Sequence, residues 1–468
     1  MIPYFPKQIA SKAVYIYLGS LAAVSLLFLH YTMKLEYLVL GTVWVAGFFL
    51  LVSVCSKKWQ HIPRKQFMLN LFLVSLGLRW LWVVFSYFFY LHQWGTPFEW
   101  MAADAESYYW DAVFYYSRLP LSTMWRILFV NTGTISDSGY FFYLGNVARL
   151  TGQSIIAPRL INSVFSALTV LLVYLMASRN LGEAGGRLAA VMTCFMPNLI
   201  YYCGLHLKET IMVFLMVAFM ERADYLIRSR RFNVVSVVLP VLLALSLFSF
   251  RTVLGITAVF SLVTAVVLTS ANTIGRHKRW VLIVWGVLAV ATLWGGTVRS
   301  ESESAWEMRF ENQVAKREAQ TQAGNRWAKY ATGTVMAPIM FMLPFPTMVD
   351  VEQQYNQQVI SGGNYVRTFL GGFVLLALYM AIFVRKNWRD LSLVGSFVMV
   401  YLAILSASGF SNSERFLLPA LPGLLIMAAY GITQLDAKNY RYVRVWYYVV
   451  PTVIIGWAVF KLGSRGLL

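Results

Sequence analysis

The sequence predicts an all-α polytopic membrane protein, with about thirteen transmembrane helices and further helices lying on the outer membrane face. Three observations carry this. Of 468 residues, 59% are hydrophobic and 13% charged, where a soluble domain carries about 25% charged residues. The apolar residues gather in runs close to the roughly 20 that one helix needs to cross a bilayer. Basic residues recur in every second connection between the runs. A mean hydropathy of +0.60 with 16% aromatic residues excludes an ordinary cytosolic enzyme, a disordered chain and a small disulfide scaffold.

The runs begin near Ala13, Glu36, Phe67, Ala157, Leu188, Glu209, Val234, Thr252, Trp280, Tyr365, Leu391, Phe416 and Val445. None has the short apolar core and small-residue cleavage site of a removed signal peptide, so the first helix is expected to remain. Lys7 and Lys12 precede the first run, and Lys57, Lys58, Arg64 and Lys65 follow the second. Arg179 and Arg187 flank the connection after the fourth, and Arg222, Arg228, Arg230 and Arg231 follow the sixth. Arg276, Lys278 and Arg279 follow the eighth, Arg385, Lys386 and Arg389 the tenth, and Lys438, Arg441 and Arg444 the twelfth. Thirteen spans put every cluster on one side, which the positive-inside tendency makes cytoplasmic. The amino terminus is then inside and the carboxyl terminus outside. The net charge of +19 is thereby a topology signal, and no nucleic-acid partner is expected.

The chain divides into two opening helices (1–66), a core (67–232) that contains a first outer loop (92–156), and a hairpin plus helix (233–298). A second outer loop (299–364) and the closing helices (365–468) complete it. The first loop holds Glu99, Asp104, Glu106, Asp111 and Asp137 among tryptophans and tyrosines, the composition of helices that lie in a membrane interface. Read as one helix, Asp104, Tyr108, Asp111, Tyr115 and Arg118 share a face. The second loop opens polar, from Arg299 to Lys329, and turns apolar from Ala337 to Pro346. Three prolines in that stretch predict a re-entrant or surface-lying piece, which must be covered by protein if it enters the hydrocarbon region. Three cysteines and five histidines show no zinc or disulfide spacing.

Candidate site residues follow from charge and side. Asp104 and Glu106 could serve as a general base on an acceptor hydroxyl, or as a helix cap and a favourable first-turn charge. Lys208, beside Glu209, and Arg415, beside Glu414, stand in short outer turns, where a cation is disfavoured by topology and suited to phosphate. Arg251 holds a similar place at the outer end of a hairpin. The alternative for all three is interfacial anchoring. Arg79 lies mid-helix, where a charge costs at least about 2.5 kcal/mol, so it requires a partner or a role in handling substrate.

In this order and on this common side, a set of short motifs resembles a known group. After Asp104-Ala-Glu-Ser-Tyr108 come Pro158-Arg-Leu-Ile-Asn162, Leu171-Leu-Val-Tyr174, Pro197-Asn-Leu-Ile-Tyr-Tyr202 and Leu207-Lys-Glu209. Glu414-Arg-Phe-Leu-Leu-Pro-Ala-Leu-Pro422 and Ala428-Ala-Tyr-Gly431 close the set. Together these are similar to the polytopic GT-C glycosyltransferases, especially the family 39 (protein mannosyltransferase-like) and aminoarabinose-transferase-like branches. The likeness covers residues 67–232 and 391–433. It implies an inverting transfer of a sugar from a polyprenyl-phosphate donor to a lipid, glycan or protein hydroxyl at the outer face. Such a site suits the periplasmic face of a bacterial inner membrane, and an endoplasmic reticulum has the equivalent geometry. It also implies that an acid of the first outer loop, Asp104 with Glu106 as neighbour, serves as base or positions the acceptor. The family often has adjacent Asp-Glu, whereas here Ala105 intervenes. No cofactor is required by this chemistry, and a divalent cation is compatible with it although no ligand spacing marks one. The competing classes are a transporter or flippase, a polymerase or ligase of lipid-linked glycans, and a non-catalytic envelope scaffold. A transporter would place its charges at mid-membrane and show paired halves.

Overall fold

In a computed structural model the described residues are 3–131, 135–229, 234–269, 279–280, 283–284, 286–287, 337–351, 354–407, 414–463 and 465–467. Helices α1 (Lys7–Leu27), α2 (Leu35–Lys58) and α3 (Arg64–Trp94) open the chain. The first outer loop carries α4 (Ala103–Trp110) and α5 (Ser138–Thr151). Then follow α6 (Ile156–Phe195), α7 (Glu209–Arg228), α8 (Val234–Phe250) and α9 (Thr252–Leu268). The closing set is α10 (Ser361–Tyr379), α11 (Ser392–Ala407), α12 (Leu421–Thr433) and α13 (Tyr440–Gly463). Among the described residues eight helices are long and apolar enough to cross a membrane, while α8 and α9 are shorter apolar helices. The chain is an integral membrane protein with an all-helical fold.

The fourth and fifth apolar runs belong to α6, which is one helical stretch interrupted at Gly182 (φ +78°, ψ 173°). Only glycine tolerates that backbone at low cost. The chain doubles back there, so closely that a Cβ on Gly186 would lie 2.6 Å from the Ser178 Cα. The two halves therefore act as separate helices. The ninth run lies largely outside the described residues, as does the polar segment from Arg299 to Lys329.

Side-chain contacts define two ends of the bundle. At the basic end, Arg187 donates to the Trp59, Gln60 and Ile62 carbonyls between α2 and α3. Arg179 pairs with Glu221 and Asp224 there, and Arg228 reaches Asp390. At the other end α3 runs on. Its 31 residues span about 46 Å, more than the roughly 30 Å of a hydrocarbon core. It ends at Gly95 in the left-handed region. Residues 337–351 and 354–360 also lie at this end, with Leu343, Phe345, Met348 and Val349 buried. Within the apolar, proline-bearing piece read from Ala337 to Pro346, Met342, Leu343 and Phe345 are buried and Pro344 is half-buried.

The common face read through the first outer loop does not persist. The backbone widens into π-helical turns over Asp111–Tyr115 and tightens at Tyr116–Arg118, which rotates the later residues out of register. Tyr108 is buried whereas Tyr115 is exposed, and Arg118 stacks on Phe114. The outward surface is aromatic: Trp110 and Phe114 are exposed and stacked with ring centroids 5.0 Å apart. That is the amphipathic character of an interfacial segment.

Candidate active site

A cleft of about 360 Å³ opens at the end of the bundle opposite the basic one. Its first wall is the chain leaving α3. Arg159 of α6 donates to the Pro97 carbonyl at 2.9 Å and stacks on Phe98. Trp100 and Asn356 exchange two hydrogen bonds, at 3.1 and 2.8 Å, which ties this wall to the 344–357 segment. Met101 adopts φ +52°, a costly backbone for a bulky residue of the kind that concentrates at functional sites. The chain then enters α4 with Asp104 in its first turn.

Charge in the cleft comes from Glu99, Asp104 and Glu414 against Arg415. Arg415 is placed by the turn that leads into α12, and its guanidinium is shared. Nη1 donates to Asp104 at 2.5 Å and Nε to Glu209 at 2.9 Å. Glu209 is fully buried, and its second oxygen has no hydrogen-bond partner among the described residues. Glu414 is held by two amides, Asn198 at 2.5 Å and Asn364 at 3.4 Å. Tyr201, Tyr202, Asn356 and Gln357 supply the neutral polar lining.

A second set of charges adjoins the first. Lys208, nearly buried at the start of α7, pairs with Asp137 and approaches the Phe250 carbonyl at 3.4 Å. Asp137 accepts the Tyr108 hydroxyl at 3.1 Å and itself sits at φ +72°. Arg251 stacks on the Phe416 ring at 4.3 Å, and Arg415 lies 5.4 Å from the same ring. The Arg251 Nη1 is buried without a hydrogen-bond partner among the described residues.

Burial sets the protonation balance. It pushes the Lys208 amine down to about 7, with Arg251 and Arg415 adding to the shift and Glu209 and Asp104 opposing it. It raises the Glu99 carboxyl above its ordinary value, against its own backbone hydrogen bond and the nearby Arg159 and Arg415. It raises the Tyr108 phenol. It drives His206 down to about 3, so that ring is neutral near pH 7.

Of the residues singled out in the sequence, Asp104, Glu414 and Arg415 line the cleft. Glu209 stands behind Arg415. Lys208, Arg251 and Tyr108 form the adjoining set and do not line the cleft. Glu106 is not part of the lining either, which separates it from Asp104. Arg79 lies elsewhere, fully buried against α6, donating to Ser75, Ser166 and the Cys194 carbonyl. Its partners are neutral helix neighbours. Glu99 stood among the acids of the first outer loop with no role attached, and Asn356 and Asn364 had no marking in the sequence. Asn198 stood inside a quoted motif, next to Pro197, with no role attached. Among the described residues no three His, Cys, Asp or Glu side chains converge as metal ligands.

No protein-family model matches the chain, and no curated protein matches it. Solved structures do align. The Archaeoglobus fulgidus oligosaccharyltransferase in its apo form gives a TM-score of 0.42 at 11% identity, over 87% of this chain and 55% of that one. The same enzyme in complex with Zn and sulfate gives 0.38 at 11% identity, over 78% and 53%. This chain spans about half the length of those chains. Neither alignment reaches a TM-score of 0.5, so the likeness assigns no activity.

Proposed function

We propose that the chain is an inverting membrane glycosyltransferase of the GT-C type. It moves a sugar from a polyprenyl-phosphate donor to an acceptor hydroxyl, at a cleft on the periplasmic face of a bacterial inner membrane. The amino terminus is cytoplasmic. The observation that carries the proposal is Arg415, shared between Asp104 at the cleft wall and the buried Glu209 behind it. A guanidinium with two carboxylates around it can exchange one of them for a phosphate, and an acid released in that exchange can accept a proton. The exposed Trp110 and Phe114, on the helical segment that follows Asp104, support a donor whose lipid tail lies in the bilayer.

In this mechanism the donor phosphate takes the Arg415 fork and frees Asp104. The acceptor hydroxyl gives its proton to Asp104 as its oxygen forms the new bond to the anomeric carbon. The bond from that carbon to the phosphate oxygen breaks, and the electron pair leaves on the phosphate. Arg415, with the field of Lys208 and Arg251, stabilises the charge that grows there. Glu99, whose carboxyl burial raises above its ordinary value, lines the cleft and can hydrogen-bond a sugar hydroxyl.

Mass spectrometry of envelope glycans and glycolipids, with and without the gene, tests the proposal. A missing sugar, restored by the wild-type chain and not by Asp104→Asn, is the expected result. An undecorated lipid-linked glycan retained on the cytoplasmic side would replace transfer with transport. Single cysteines in 299–330 should react with an impermeant thiol reagent from outside, and one at Lys386 should not; equal labelling would overturn the orientation. Loss of transfer on chelation, restored by Mg²⁺ or Mn²⁺, would add a divalent ion to the cleft.

A further inference from the structure

A second cavity of about 640 Å³ lies between α1 and α13, near the basic end. Its position follows from α1, whose start is fixed beside the end of α2 by the Phe5 amide donating to Ser56. Lys12, Arg441 and Arg444 converge on it. Lys12 is five residues into α1 and Arg444 four residues into α13, so both lie about 6–8 Å along their helices. None of the three forms an ion pair with an acid among the described residues. The Lys12 ammonium lies over the Tyr447 ring, 5.2 Å from its centroid. Tyr15 and Tyr448 flank the opening and are largely exposed, as is Val445 below them.

We propose that this groove binds the headgroup of an anionic phospholipid. Three cations without acids make a phosphate site. Basic pockets between transmembrane helices on the cytoplasmic side are suited to such headgroups. The flanking tyrosines have the amphipathic form that settles at a membrane interface. The apolar side of the groove, through Val445, continues onto helix surface that acyl chains would cover. A soluble anion would use the cations and leave that surface without a partner, so the occupant is a lipid. The binding ties α1 to α13 and is independent of the chemistry at the cleft.

The test uses the purified full-length protein in detergent, with native mass spectrometry counting retained lipids. Phosphatidylglycerol should stay bound under conditions that strip phosphatidylcholine. Lys12→Gln, Arg441→Gln and Arg444→Gln should each weaken retention about fivefold, in line with about 1 kcal/mol per basic residue at an anionic surface. Arg444→Lys should largely keep it, and Lys58→Gln, elsewhere at the same end, should not change it. Equal retention of the two lipids by the wild-type chain would overturn the proposal. Displacement of the lipid by millimolar inorganic phosphate would assign the cations to a free anion and overturn it too. A photoactivatable phosphatidylglycerol needs no variant to fold: its cross-links should fall on peptides containing Lys12 or residues 441–448, and cross-links confined to other peptides would refute it.

Discussion

Both ends of the bundle hold an ionic network, yet the two differ in how completely their atoms are paired. At the basic end, Glu221 gives one oxygen to Arg179 at 2.7 Å and the other to Arg222. Asp224 meets Arg179 at 2.8 Å, Arg228 at 3.0 Å and Asn180 at 3.2 Å. Every carboxylate oxygen of this pair of acids has a donor. At the cleft end, Glu209 leaves one oxygen, Arg251 one nitrogen and Glu99 one oxygen without a hydrogen-bond partner among the described residues, all buried. A cleft of about 360 Å³ opens beside them. Buried polar groups are normally satisfied, and unsatisfied charges next to a cavity are where a ligand completes the set. The first network fastens helices together, while the second leaves polar atoms beside a cleft, where the proposed donor would bind.

The largest expected effect is at the cleft. Asp104→Asn keeps shape and hydrogen bonding and removes the proton acceptor, so transfer in purified membranes should fall about 10²–10⁴-fold with the protein still folded. Glu106→Gln, off the cleft, should be much milder, and a reversed ranking would exchange the two roles. At the basic end the cost should appear in stability instead. Glu221→Ala removes one of the two acids of Arg179, which keeps Asp224, together with the acid that Arg222 meets. It should destabilise the detergent-purified chain by about 1.5–3 kcal/mol, read from its unfolding midpoint, with donor affinity unchanged. An effect on donor affinity alone would erase the distinction between the two ends.

Arg415→Ala should weaken donor binding by about 1.5–3 kcal/mol, the worth of one charge-assisted hydrogen bond. Unchanged binding would return Arg415 to the role of interfacial anchor. The smallest effect concerns pH. Lys208 titrates near 7 in the folded protein, below the ordinary 10.5, so its charge is present at lower pH and is lost as pH rises through about 7. Donor affinity should therefore fall between pH 6 and 8, and Lys208→Arg should flatten that profile. A profile identical in both chains would remove Lys208 from the phosphate's surroundings.

Much of the architecture was legible because lipid imposes it. Runs such as those from Glu36 and Tyr365 must be helical, since no water is available for their backbone groups. The placement of Lys57, Arg187 and Lys386 in alternating connections gave the two sides before any contact was known. Asp104 also stood out as an acid of the first outer loop, and Glu209 and Arg415 as charged residues in short connections between apolar runs. Their mutual contacts were not visible. Asp104 and Arg415 are 311 positions apart, and no local periodicity reports a pairing at that separation.

The sequence by itself determined that this is a helical membrane protein, which residues its helices contain, and that its polar groups gather at the helix ends. Hydrophobic length and charge placement are properties of the chain read locally, and the bilayer turns them directly into structure. Only the tertiary structure decided that Asp104 faces the cleft and Glu106 does not, that Lys208 serves Asp137 before any ligand, and that Glu99 is a cleft acid. It also decided that α6 folds back at Gly182 and that the face begun at Asp104 is lost in the π-helical turns at 111–115. These outcomes depend on how helices distant in sequence pack, where the backbone registers of separate segments meet, and which charges share one small volume.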